Sequence, residues 1–85
     1  MDHVVISIYP FIMRQSVSAY QKGICVRHVE CDNINNLANT AFALCKEFNI
    51  HKVDLAGVNQ YCLKVRDDMN KLPNFDNFGL EFTIH

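Results

Sequence analysis

The hydrophobic pattern of the chain changes period along its length. From Val4 to Tyr9, Val4, Ile6 and Ile8 alternate with Val5, Ser7 and Tyr9, which is the two-residue period of a strand. Pro10 ends or edges that strand, because it has no N–H to give to a ladder. Ser16 to Gln21 and Ile24 to Cys31 read as two further strands separated by Lys22-Gly23. A glycine there supplies the positive φ that a two-residue hairpin turn needs. Beyond Asp32 and Asn33, either of which can cap a helix through its short side-chain acceptor, the period lengthens. Ile34, Leu37, Ala38, Ala41, Leu44, Cys45 and Phe48 fall on one stripe at helical spacing, and Asn49 is a left-handed stop. Lys52 to Ala56 is predicted as a short buried strand, followed by Gly57 and a second helix from about Asn59 to Asn70. That helix carries Cys62, Val65 and Met69 on its stripe, then Leu72, before Pro73 forbids continuation. Leu80, Phe82 and Ile84 alternate in a last strand, so the predicted order is β-β-β-α-β-α-β.

Composition narrows the class without naming a chemistry. At 85 residues, 49% hydrophobic and 20% charged, the chain is expected to form one small domain over residues 1–85 and is too apolar for disorder. A chain of this length has a radius of gyration of roughly 12 Å. Eight basic and nine acidic side chains give a formal net charge of −1, so no global field draws it to nucleic acid or anionic lipid. No apolar run approaches the roughly 20 residues that span a bilayer. The Met-Asp-His start lacks the basic region of a signal peptide, and a cytoplasmic protein without membrane contact is expected. Cys25, Cys31, Cys45 and Cys62 form no C-x-x-C pair; an even count allows a disulfide, but four small buried hydrophobes in a reducing compartment is the stronger expectation. His3, His28, His51 and His85 match no zinc spacing, and no metal or cofactor is expected.

The stretch "ISIYPFIMRQSVSAYQKGICVRHVE" resembles the opening of the RuvC-type Holliday-junction resolvases, and the element order is similar to the core of the ribonuclease H-like superfamily. The resemblance covers nearly the whole chain as topology and about its first third as sequence pattern. It implies an α/β fold in two layers, with a single mixed five-stranded sheet in the order 3-2-1-4-5. Both helix crossovers then travel the same way. Right-handed crossovers place both helices on one face.

The departures from that family bear on activity. Its nucleases hold two divalent metals with carboxylates, because the metals clamp the attacking and leaving phosphate oxygens. The resemblance puts the first acid near Tyr9 or Ile8, neither of which suits Mg²⁺. It puts the fourth-strand acid within "VDLAG", where the strand end offers Ala56. The acids of a final helix have no counterpart before His85. Asp54 is the one acid in the right strand, and it is expected to be a solvated residue beside Lys52. Asp67-Asp68, beside Arg66 and Lys64, reads as a solvated helix face. The expectation is a degenerate member with no catalytic residues.

Other constellations are weak. Gly57 between strand and helix offers free amides to an anion, but one glycine falls far short of a phosphate-binding signature. Ser16 and Ser18 with His28 lack the G-x-S-x-G elbow of a hydrolase. Tyr9 and Tyr20 could stack on bases, yet Arg27, Lys52 and Lys22 are offset by Asp54, Glu30 and Glu81, so no basic groove accompanies them.

Counting across the Lys22-Gly23 turn, Ala19 opposes Val26, Val17 opposes His28, Tyr20 opposes Cys25 and Ser18 opposes Arg27. Opposed residues share a face. The helix-covered face is thus expected to gather Val4, Ile6, Ile8, Val17, Ala19, Ile24, Val26, Val53, Leu55, Leu80, Phe82 and Ile84. The other is expected to gather Val5, Ser7, Tyr9, Ser16, Ser18, Tyr20, Arg27, Asp54, Glu81 and Thr83. A polar face turned to water is common in antiparallel sheets. With Tyr9, Ser18, Tyr20, Arg27 and Asp54 on it, the face is expected to contact a protein partner, an inhibitor's or assembly factor's target, or a second copy of the chain. A nucleic-acid-binding module of the same descent, or a nuclease completed by a partner's carboxylates, is the alternative. The edge strand Ile24 to Cys31 is a second contact candidate.

Overall fold

The structure is a computed structural model and describes residues 2–9 and 14–85. The expected break at Pro10 lies outside the described residues. Strand β1 (His3–Tyr9), β2 (Arg14–Gln21) and β3 (Ile24–Cys31) are followed by a 3-10 turn (Ile34–Asn36) and helix α1 (Leu37–Phe48). Then come β4 (Lys52–Gly57), α2 (Asn59–Asn70), a short α3 (Phe75–Phe78) and β5 (Glu81–Ile84). The strands form one five-stranded sheet in the order β3-β2-β1-β4-β5. β1, β2 and β3 are antiparallel neighbours, β4 runs parallel to β1, and β5 runs parallel to β4. The α+β architecture and strand order expected from the sequence are those found.

Local chemistry explains the turns. Lys22 and Gly23 both hold positive φ, 55° and 78°, the pair of conformations a right-twisted hairpin favours. Asn33 caps the 3-10 turn, its Oδ1 accepting from the Asn35 amide at 2.9 Å, so the capping signal acts one short turn ahead of α1. Asn49 ends α1 at φ 54°, and the Ile50 amide returns to the Cys45 carbonyl at 2.9 Å. At Gly57, φ is 125° and a Cβ would collide with the Ile8 carbonyl oxygen; only glycine lets β4 pass so close to β1.

One core lies between the sheet and the helices. Ile6, Ile8, Val17, Val53 and Leu55 from the strands meet Leu37, Ala41 and Cys45 of α1 and Cys62, Val65 and Met69 of α2, all fully buried. Both main helices therefore cover the same face. α3 adds Phe75, which stacks on Phe82 of β5 with ring centroids 5.9 Å apart. The radius of gyration is 11.6 Å, close to the roughly 12 Å expected for a chain of this length. No helix among the described residues is long and apolar enough to cross a membrane.

The edge strand departs from the expected parity. Between Ala19 and Tyr20 the β2–β3 register shifts: Tyr20 pairs with Cys25, but Ala19 pairs with Arg27 and Ser18 with His28. Val26 is the extra residue of a β-bulge, which reverses the faces beyond it. Arg27 consequently lies on the helix side, where its guanidinium is 3.4 Å from Glu47 and sits over the Phe48 ring, both in α1. It is not part of the open face, contrary to expectation. Ile24, next to the hairpin turn, and Val26, the extra residue of the bulge, are exposed rather than core. Cys25 is exposed as well, whereas Cys31, Cys45 and Cys62 are buried; all four thiols are free.

Candidate functional site

The uncovered sheet face is a grid that the strand registers define. One row joins Cys25, Tyr20 and His3; the next joins His28, Ser18, Val5, Asp54 and Thr83. A third joins Glu30, Ser16, Ser7 and Ala56. Tyr9, Ser18, Tyr20 and Asp54 thus share this face as their alternation predicts. They do not converge on one point. Tyr9 lies six residues along β1 from His3, the partner of Tyr20, or roughly 20 Å at strand rise.

What the sequence reading missed is the histidines. His3 Nδ1 stands 3.7 Å from Asp54 Oδ2, and His85 Nε2 stands 3.4 Å from Asp54 Oδ1. Asp54 is the bridge of a His-Asp-His row rather than a plain solvated strand residue, and its side chain keeps 25% exposure. The His3 ring also leans on Tyr20, with centroids 5.2 Å apart. The bulge brings His28 to the same face, against the expectation that paired it with Val17. Strand parity alone places His3 with Val5 and His85 with Thr83, so part of this signal was present in the sequence.

His28 sets up the second cluster. Its Nδ1 is 2.7 Å from Ser18 Oγ, and its Nε2 is 3.8 Å from Glu30 Oε1. With the ring proton on Nε2 toward Glu30, Nδ1 accepts from the Ser18 hydroxyl. The order hydroxyl, imidazole, carboxylate is that of an activated nucleophile. The surroundings do not complete it. Ser18 is only 8% exposed, and β2 has hydrogen-bonded strands on both sides. Its amides are spent in ladders, so β2 itself offers no free pair of N–H groups to an oxyanion. The arrangement orients a surface.

Tyr9 and Ala56, the positions the resolvase resemblance assigns to metal-binding acids, end adjacent strands: Tyr9 closes β1, and Ala56 pairs with Ser7. Ile8 is buried under the helices. Among the described residues, no cavity opens and no group of three metal-ligating side chains could hold an ion. His51 lies apart from the face, stacked on Phe78, with Nδ1 3.0 Å from the Phe78 carbonyl oxygen and Nε2 3.1 Å from Asn49 Oδ1. Asp67 and Asp68 pair with Arg66 and Lys64 on α2, as a solvated helix face does. Comparison of the chain with protein-family models, curated proteins and solved structures returns no match.

Proposed function

We propose that this chain is a non-catalytic, cytoplasmic interaction protein of ribonuclease H-like descent, acting as an inhibitor or assembly factor by binding a protein partner through the open sheet face. The observation that carries the reading is the uneven use of β1: Val4, Ile6 and Ile8 are buried, while His3, Val5, Ser7 and Tyr9 face outward without a covering layer among the described residues. Tyr9 and Tyr20 stand on a face of hydroxyls, histidines and acids in which Ser18 is paired with His28 and Asp54 with His3 and His85, and tyrosines are frequent anchors of protein interfaces. Pre-paired side chains lose less entropy on binding. The descent rests on the strand order and on the pattern of the first third of the sequence; Tyr9 and Ala56, non-ligating residues at the positions the resemblance assigns to acids, support the non-catalytic part of the reading. The acids Asp54, Glu30 and Glu81 offset the cations of the face, which weighs against a nucleic-acid groove.

The test is differential capture. Wild-type protein and the Tyr20→Ala/Asp54→Ala variant, matched for melting temperature, are used as baits in lysate of the native cell. A protein recovered by the wild type and lost with the variant is expected. An identical set of proteins on both baits would overturn the reading. In parallel, branched DNA and RNA–DNA hybrids incubated with Mg²⁺ or Mn²⁺ remain intact; cleavage abolished by Asp54→Asn would show a nuclease instead.

A further inference from the structure

We propose that β3 pairs edge to edge with the β3 of a second copy of this chain, antiparallel and centred on Val29. This goes beyond the reading of the open face and does not depend on it. Among the described residues, β3 ends the sheet with β2 as its one partner strand. Six of its eight residues are exposed, with Val29 half-buried and Cys31 buried, and an edge strand presents a row of unpaired N–H and C=O groups.

Two features fix the register. The bulge at Val26 interrupts regular pairing on one side, and the strand ends at Cys31 on the other. What remains, Arg27 to Cys31, is a regular window symmetric about Val29. Within it, His28 and Glu30 share the open face, two residues apart, with Nε2 and Oε1 at 3.8 Å. An antiparallel pair centred on Val29 sets each His28 opposite the Glu30 of the other copy, twice, related by the dyad. Opposed partners of this kind contribute favourably, whereas parallel pairing sets Glu30 against Glu30. The Glu30 side chain is 82% exposed, so it is free to turn to its new neighbour. The dyad stands perpendicular to the sheet. Two five-stranded sheets become one continuous sheet, with both helix layers on one side and both open faces on the other.

Sedimentation velocity across a concentration series reads the association. Wild type is expected to dimerise. Glu30→Lys and His28→Glu each weaken the dimer by roughly tenfold or more: the first removes the carboxylate that accepts from His28 Nε2 across the dyad, and the second sets Glu against Glu30. The double variant His28→Glu/Glu30→Lys restores opposite charges at both positions and returns the dimer toward wild-type strength. Asp54→Ala, three strands inward, leaves association unchanged while testing the open face, so failure of either reading leaves the other standing. Amide hydrogen exchange of the wild type supplies a readout without substitutions: the amides of Arg27 to Cys31 slow as concentration rises. A wild type monomeric up to about 1 mM, a dimer indifferent to Glu30→Lys, a double variant no better than the singles, or exchange independent of concentration would each overturn the proposal.

Discussion

The two faces of β1 are built from one backbone and do opposite work. Val4, Ile6 and Ile8 are fully buried against α1, α2 and the neighbouring strands, while Val5 and Ser7 are half-buried and Tyr9 is exposed. The covered face is apolar and interlocked, and it carries the free energy of folding. The open face holds its polar groups in pairs: Ser18 with His28, and Asp54 with His3 and His85. The partly exposed pairs of Asp54 with His3 and His85 contribute little to stability. The comparison teaches that residues adjacent in sequence can be separated cleanly into those that pack the core and those that face outward from the sheet.

The sharpest way to break this comparison is to truncate on each side in turn. Ile6→Ala removes a fully buried side chain and is expected to cost about 2–5 kcal/mol in urea unfolding. Ser7→Ala, the next residue on the opposite face, is expected to stay within about 0.5 kcal/mol. Equal effects would mean the open face is as integral to the fold as the core.

Cysteines sharpen the same contrast at smaller magnitude. Cys45 lies in the core, and burial pushes its thiol up to about 12. Cys45→Ser buries a hydroxyl and is expected to cost about 1–3 kcal/mol. Burial also raises Cys62. Since the Cys45 thiol ionises near 9.0 when unfolded and about 12 when folded, the unfolded chain alone releases its proton across that window. The contribution is intact below pH 9 and is lost as pH rises toward 12. A denaturation series from pH 8 to 11 should show that decline, reduced in Cys45→Ala. At pH 8 a thiol reagent should label Cys25 rapidly and the three buried thiols only on unfolding. Rapid labelling of Cys45 would contradict the packing.

Most of the fold was legible from periodicity, and the misses have identifiable physics. β3 and α2 fall at the residues their patterns mark, Ile24–Cys31 and Asn59–Asn70: the Lys22-Gly23 turn and the Asn33 cap bracket β3, and Gly57 and Pro73 bracket α2. α3 escaped notice because four residues carry no helical period. The site was less legible. A bulge adds one residue without a sequence signature, yet it moved Arg27 to the helix side, brought His28 to the open face and left Val26 exposed. The His3–Asp54–His85 row joins the first strand, the fourth and the residue just after the last. Spacing rules written for local motifs cannot reveal it.

Histidine carbethoxylation, read residue by residue by mass spectrometry, tests the central claim most directly. It compares the purified chain with the chain in lysate of its native cell. His3 and His85 report the open face, while His51, held against Phe78 away from that face, is the internal reference. If a partner covers the open face, His3 and His85 lose reactivity in the lysate relative to His51. The same relative reactivity at all three in both conditions would contradict the account.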